Sequence, residues 1–296
     1  MVGKVLTVIF AQSSPIGTMQ HAKCHKDYKG MSKMDIDAHA LHVLLKDRLN
    51  IKGDIRLHNN RKKKEIEEII KAIKSYTAYT FVFLTYLHRS YRCVDKNEDL
   101  IECYDASVSL KEIFLWMERN EVFHGKPKLF IVQADDLTLL YPGKRVKGSG
   151  GIGGSDDDIM TVRSKIPKDS DRLLLFSTLP QMLANPDRKT GGSSPRTQPT
   201  QSTSQGDSVE TTPPKNPSFL IQAIRDVLCD PNTQDHAIEP HLVKQAVWIN
   251  MRVKILTEQL RKDDKFKEAN LPLPVVTSSL TNHFRLTKAS EYGGGP

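Results

Sequence analysis

Apolar runs alternate with helical patterns along most of the chain, and this alternation constrains the fold more than any other feature. The first run, Val5 to Phe10, is apolar at nearly every position, as in a strand that is buried on both faces. The segment from Lys62 to Tyr76 has isoleucines at helical spacing, Ile66, Ile70 and Ile73 among them, which favours a helix with one apolar face. Strands and helices in alternation predict a largely parallel sheet with helices on both faces.

The same criteria assign the other elements. Further strands are predicted at Gly53–His58, Phe81–Leu87, Lys128–Gln133, Arg172–Ser177 and Pro274–Leu280. Further helices are predicted at Asp35–Leu49, Val108–Val122, Pro217–Cys229 and His241–Arg261. The order of elements is therefore that of an α/β protein.

Two segments have compositions that do not suit a packed core. Residues 142–165 are rich in glycine and then acidic, and we interpret them as a flexible linker. They do not form a phosphate-binding loop, because no Gly-Lys-Ser/Thr sequence opens a helix there. Residues 189–215 are rich in Ser, Thr, Pro and Gln, so we predict a disordered insert.

Cysteine usage, hydropathy and net charge indicate the compartment of the protein and the classes of partner that it binds. The four cysteines form no CxxC pair, which favours free thiols and hence a cytoplasmic protein. No apolar run reaches the roughly 18 residues of a membrane span, so we expect no membrane partner. The net charge is +8, but the basic run Arg61–Lys64 is followed at once by glutamates. We interpret it as the solvated start of a helix, and expect neither nucleic-acid binding nor a cofactor or metal.

One short sequence indicates which chemistry the site resembles. The predicted strand at Lys128–Gln133 continues into Gln133-Ala134-Asp135, and His88 lies 47 residues upstream at the end of another predicted strand. A cysteine protease brings a thiolate and a histidine together from different strand ends. The caspase signature is Gln-Ala-Cys, with its histidine roughly 50 residues earlier. The spacing fits this signature, but an aspartate stands in place of the cysteine.

Other segments extend the similarity, and together they resemble the caspase family in order along nearly the whole chain. The segments that carry the resemblance are Gly30-Met31, Asp35-Ile36-Asp37-Ala38, Gly125–Ala134, Ser155–Asp158, Lys165-Ile166-Pro167, Phe176–Pro180, Phe219–Gln222 and Leu273–Val276. The resemblance implies a caspase-like three-layer α/β sandwich, whose six-stranded, mostly parallel sheet has helices on both faces. It also implies a large-subunit-like region at 1–141 and a small-subunit-like region at 166–290. The resemblance further implies dimerisation through the closing strand of the small subunit, which in this chain includes Val275, Val276 and Thr277.

The departures from the family pattern gather at the expected active site. Asp135 stands at the position of the nucleophile, which leaves His88 without a thiol partner. Arg89 follows the histidine where the family has a glycine whose N–H helps to form the oxyanion hole. The family resemblance implies arginines that bind the substrate aspartate. At the corresponding places this chain offers Lys33, a lysine instead of an arginine, and Arg188 as candidate remnants. We interpret the pair Asp135-Asp136 as a solvated turn.

These departures indicate a catalytically inactive homologue rather than a protease. We expect it to regulate apoptosis or a related caspase pathway by binding an active caspase, a caspase activator or a second copy of itself. Two alternatives remain open. The chain could be an active cysteine endopeptidase that cleaves after aspartate, or a non-enzymatic scaffold that uses its basic helix and its insert.

Overall fold

Six strands form one twisted sheet whose central strands run parallel. The structure is a computed structural model that describes residues 4–12, 33–48, 53–87, 100–136, 139, 171–184, 216–230, 242–262, 264, 266–267 and 271–280. The strands of the main sheet are β1 (Val5–Ala11), β2 (Gly53–Asn59), β3 (Ala78–Leu87), β6 (Lys128–Asp136), β7 (Arg172–Ser177) and β8 (Val275–Ser278). A separate hairpin pairs β4 (Leu100–Glu102) with β5 (Ser107–Ser109).

The helices are α1 (Lys33–Val43), α2 (Lys63–Lys71), α3 (Leu110–Glu118), α4 (Phe219–Cys229) and α5 (Leu242–Glu258). A π-helical turn, Leu44–Arg48, continues α1. Short 3-10 turns lie at Glu121–Phe123, Gln181–Ala184 and Leu260–Lys262.

The strand order across the sheet is β2-β1-β3-β6-β7-β8. Every pairing from β2 to β7 is parallel, and the edge strand β8 runs antiparallel to β7. The carboxyl ends of the five parallel strands therefore lie at the same end of the sheet, which is where α/β proteins build their sites. The predicted six-stranded, mostly parallel sheet is confirmed.

Two hydrophobic cores cover the two faces of this sheet. Along β1, Leu6, Val8 and Phe10 belong to one core, whereas Ile9 and Ala11 belong to the other, because successive side chains of a strand point to opposite faces. The first core includes residues of α2 and α3, and the second includes residues of α1, α4 and α5. The predicted three-layer sandwich is therefore confirmed.

Some boundaries differ from the predictions. The hairpin of β4 and β5 was not predicted, and it places Val108 in a strand rather than in a helix. Helix α3 begins at Leu110 because the Ser109 hydroxyl accepts a 3.1 Å hydrogen bond from the backbone N–H of Glu112, which caps the helix. Helix α2 ends at Lys71, well before the predicted end at Tyr76.

The basic run Arg61–Lys64 forms the solvated start of a helix, as predicted. Arg61, Lys62 and Lys64 are exposed at the start of α2, and Lys63 Nζ lies 2.8 Å from a carboxylate oxygen of Glu112. Farther along the helix, Lys71 pairs with Glu67 at 2.7 Å. Of the helices in the described ranges, none is both long and apolar enough to cross a membrane.

Candidate functional site

The carboxyl end of β6 carries the residues that the sequence singles out. Strand β6 continues to Asp136, and all nine of its residues are buried. Asp135 is opposite Tyr86 and Asp136 is opposite Leu87 on β3, while the backbone N–H of Asp136 donates to the carbonyl oxygen of Thr178 at 2.9 Å. The interpretation of Asp135-Asp136 as a solvated turn was therefore wrong, because pairing with β3 extends the buried strand through both residues.

The Asp135 carboxylate is 0% exposed and is held by nitrogen donors. Its Oδ1 accepts a 2.8 Å hydrogen bond from Nε2 of Gln133, and its Oδ2 accepts a 3.2 Å bond from the backbone N–H of Gln181. Gln133 and Asp135 are two residues apart on one strand, so their side chains share a face of the sheet. The arrangement stabilises a buried acceptor at the strand end.

A second buried carboxyl, that of Asp37, lies close enough to interact electrostatically with Asp135. Asp37 is in α1, and its Oδ1 accepts a 2.6 Å hydrogen bond from the backbone N–H of Ser218, which directly precedes α4. Burial raises the pKa of Asp37 to about 7, with a further upward contribution from the charge of Asp135. The backbone N–H and the hydroxyl of Ser218 act in the opposite direction. At neutral pH, Asp37 therefore titrates.

Gln181 connects the two carboxyls through the segment before α4. It begins the 3-10 turn after β7, and its Nε2 donates to the carbonyl oxygen of Asn216 at 2.7 Å. Asn216 lies two residues before Ser218, the donor to Asp37. The carboxyl ends of β6 and β7, the start of α1 and the start of α4 thus meet in one buried polar cluster.

The predicted site residues are only partly within the described residues. Asp135 is at the centre of the cluster. Lys33 is the first residue of α1, one helical turn before Asp37, but its side chain lies outside the described part of the structure. His88, Arg89 and Arg188 also lie outside the described residues, as do the predicted linker 142–165 and insert 189–215. Their roles and the proposed subunit boundaries stay predictions.

Sequence analysis did not predict the contributions of Asp37, Gln133, Gln181 and Ser218. Asp37 and Gln133 are within segments that carry the family resemblance, but neither was assigned a role. Ser218 had a usable signal, because a serine directly before an apolar helical run is typical of an N-cap. Gln181 had none. Within the described ranges, no group of three or more His, Cys, Asp or Glu side chains is arranged to hold a metal ion.

The predicted dimer strand is present as the edge strand β8. Val275 is 53% exposed, Val276 is half-buried and Thr277 is exposed. The strand pairs with β7 on one side, and the side-chain amide of Asn250 on α5 donates to the carbonyl oxygen of Pro274 at 3.1 Å. The role of this strand in dimerisation stays a prediction.

Comparisons with known proteins agree with this architecture. The structure is similar to one described as pro-sf-caspase-1, with a TM-score of 0.57 and 16% sequence identity, over 95% of this chain and 93% of the other. It is also similar to caspase-1 from Spodoptera frugiperda, with a TM-score of 0.57 and 17% identity, over 98% of this chain and 92% of the other. Identities this low show a shared fold alone. No curated protein matches the chain by sequence.

The family assignment depends on a sequence match that covers most of the chain. Residues 23–284 match the caspase domain, which is the family that the resemblance in the sequence predicted. This range includes α1 and Asp37, the end of β6 with Asp135, and the edge strand β8. The chain therefore belongs to the caspase-domain family.

Proposed function

We propose that this chain is a catalytically inactive caspase homologue that regulates apoptosis or a related caspase pathway in the cytoplasm, by binding an active caspase or a caspase activator. The observation that carries this proposal is the identity and setting of Asp135. It follows Gln133-Ala134 on β6, where the family signature has its nucleophilic cysteine.

The chemistry of Asp135 supports inactivity. Acyl transfer in a cysteine protease needs a thiolate, which a carboxylate does not replace as a nucleophile toward a peptide bond at neutral pH. Both carboxylate oxygens of Asp135 accept hydrogen bonds from nitrogen donors in a buried setting. Cys103 offers no substitute, because it is packed in the core next to α2 and α3 and burial raises its thiol pKa to about 12.

Two exposed apolar elements support a role in binding a protein partner. One is the edge strand β8 with Val275, and the other is a face of α5 where Val247, Met251 and Ile255 are each about half exposed. The spacing of four residues places these three side chains on one face of the helix. Exposed apolar side chains that cluster on one element mark surfaces of association more often than isolated ones do.

The test separates inactivity from partner binding. The purified full chain is assayed with chromogenic peptides that contain aspartate and with a thiol-directed caspase probe, and is then co-expressed with active caspases. We expect no turnover and no labelling of the wild type, together with co-purification of a caspase whose activity is changed by the complex. Turnover that is lost in a His88→Ala variant would instead establish an active endopeptidase.

A pair of edge-strand variants controls the binding arm. Val275→Asp places a charge on β8, and Leu57→Asp places the same charge on β2, the opposite edge, where Leu57 is 46% exposed. Loss of the caspase with Val275→Asp but not with Leu57→Asp supports binding through β8. Recovery of other proteins with no caspase in either case would favour the scaffold alternative.

A further inference from the structure

Helix α5 has an inner face and an outer face of different character. Its inner side chains, Ile249 and Val253 among them, are buried in the core that covers one side of the sheet. Its outer face has three apolar side chains on successive turns: Val247 is 50% exposed, Met251 is 58% exposed and Ile255 is 49% exposed. Apolar side chains that cluster on an exposed face mark a surface of association.

The outer face also has two charges of opposite sign, one near each end. Lys244 lies seven residues before Met251, and Glu258 lies seven residues after it. Both are exposed, and among the described residues neither forms an ion pair. Residues seven apart lie almost in line along a helix. One line along the outer face therefore runs from a positive group, through an apolar one, to a negative group.

The helix itself does not account for the sign of these two charges. The dipole of a helix favours acidic residues in the first turn and basic residues in the last turn. Helix α5 has neither, because Lys244 lies in its first turn and Glu258 is its last residue. Both charges are placed against the helix dipole, so a partner that brings the opposite charge to each end would compensate them.

The order of the three groups is complementary to itself. When a second copy of α5 lies antiparallel to the first and Met251 is at the two-fold axis, Lys244 of each copy faces Glu258 of the other. The two Met251 side chains meet at the axis, where a flexible thioether packs readily. A parallel arrangement would instead bring like charges together. The outer face therefore specifies an antiparallel pair.

The residues beside this line suit the same arrangement. Two antiparallel helices that cross at about 20° keep residues at seven-residue spacing along their contact. On one side of the line, the half-buried Trp248 of each copy then lies near Ile255 of the other. On the other side, Val247 lies near the aliphatic stem of Lys254, whose ammonium group stays in water. Apolar groups thus meet apolar groups across the contact.

We propose that the outer face of α5 binds the same face of a second copy of this chain, as a symmetric antiparallel helix pair. One helix pair is small beside the roughly 1,200 to 2,000 Å² of a standard interface, so we expect reversible association in the micromolar range. The two charge pairs are exposed, so salt weakens the association.

This inference goes beyond the proposed function, because it concerns the chain alone and does not require a caspase. The outer face of α5 points away from the sheet, whereas β8 is an edge of the sheet. A pair formed through α5 presents two β8 edges, so disrupting the pair is also expected to lower recovery of a caspase.

The test measures the mass of the purified full chain by sedimentation velocity, across the micromolar range and at low and high salt. We expect the wild type to change from monomer to dimer as its concentration rises, and to do so less readily at high salt. Met251→Glu places two carboxylates together at the axis, and we expect it to weaken dimerisation at least about tenfold.

Two charge reversals identify the facing residues. Lys244→Glu gives one variant that is acidic at both positions, and Glu258→Lys gives one that is basic at both, so each alone should dimerise at least about tenfold more weakly. An equal mixture of the two variants should dimerise again, because opposite charges then meet at both ends. Both substitutions suit the helix dipole better than the wild-type residues do, so α5 is retained, which circular dichroism checks.

Two control variants place the same kinds of change elsewhere. Lys64→Glu reverses an exposed charge on α2, which packs on the other face of the sheet, and we expect no effect on dimerisation. Val275→Asp alters the edge strand β8, and we expect it to leave dimerisation of the chain alone unchanged.

Several results would overturn the proposal. One is a chain that stays monomeric across the whole range, even if Met251→Glu lowers caspase recovery, since the face would then bind the caspase and not a second copy. Others are dimerisation that both charge reversals leave unchanged, a mixture of the two variants that stays monomeric, and dimerisation that only Val275→Asp abolishes. Each of these is measured without a caspase, so failure here is distinguished from failure of the proposed function.

Discussion

The carboxyl group of Asp37 accepts a 2.6 Å hydrogen bond from the backbone N–H of Ser218, a residue 181 positions later in the chain. The bond joins α1 to the residue directly before α4, and the carboxyl group lies close enough to Asp135 at the end of β6 to interact with it electrostatically. Because Asp37 is fully buried, the interaction couples packing to ionisation. The fold therefore has a titrating contact within its core.

The burial of Asp37 predicts that the folded chain loses stability as the pH rises from about 4 to about 7. Burial raises the pKa of Asp37 to about 7, whereas the unfolded chain has an ordinary aspartate pKa. Between the two values the folded chain retains a proton that the unfolded chain has released, so the free energy of unfolding decreases with rising pH. Urea unfolding from pH 4 to pH 8 measures the slope.

The variant Asp37→Asn tests the origin of that slope. An asparagine oxygen still accepts from Ser218 but does not ionise, so the dependence on pH should be shallower and the variant should gain on the wild type at pH 8. Glu102, whose pKa burial also raises to about 7, contributes in the same direction. Glu102→Gln is therefore the matched comparison, and it should also make the slope shallower. A slope that stays unchanged in Asp37→Asn would contradict its assignment to Asp37.

The two hydrogen bonds donated by the Gln133 side-chain amide predict that removing this amide lowers the stability of the fold strongly. Its Nε2 donates to Asp135 and to the carbonyl oxygen of Leu179, so Gln133→Met leaves two buried acceptors without that donor. We expect the free energy of unfolding to decrease by about 2 kcal/mol or more, measured by urea denaturation. Gln259→Met, at an exposed position, is expected to change it by less than about 0.5 kcal/mol.

Periodicity predicted the layers of this fold because both faces of the sheet are buried. Runs such as Val5 to Phe10 and Leu129 to Val132 are apolar throughout, as strands between two helical layers must be. The hairpin of β4 and β5 was not predicted, since its strands have only three residues each and are too short to show a period.

The candidate site was harder to predict, for a physical reason. Asp135 was found through a local motif, and its burial was missed because the pairing of Asp135 and Asp136 with β3 is a long-range property. Gln181 and Asp37 contribute through contacts with residues far away in the chain, which no local pattern encodes. Long-range hydrogen bonds assemble the buried polar cluster at the end of β6, so the sequence indicated its position but not its members.

Cys103 is predicted to be inert in the folded chain. Burial, the largest cause, and the nearby charge of Asp105 raise the pKa of its thiol to about 12. At pH 8 the thiolate fraction is then on the order of a thousandfold below that of an ordinary cysteine, and alkylation is slowed accordingly. Mass spectrometry after treatment with iodoacetamide should find Cys103 unmodified under native conditions and modified in urea, whereas rapid native labelling would contradict its burial.

The exposed face of α5 predicts variants that separate partner binding from stability. Met251 is 58% exposed and lies between Val247 and Ile255 on that face, so a glutamate there loses little packing but places a charge in an apolar contact. We expect Met251→Glu to change the free energy of unfolding by less than about 0.5 kcal/mol, yet to reduce co-purification of a caspase. Val253→Glu, at a fully buried position of the same helix, should instead unfold the chain. Full recovery of the caspase with Met251→Glu would exclude this face of α5 from the interface.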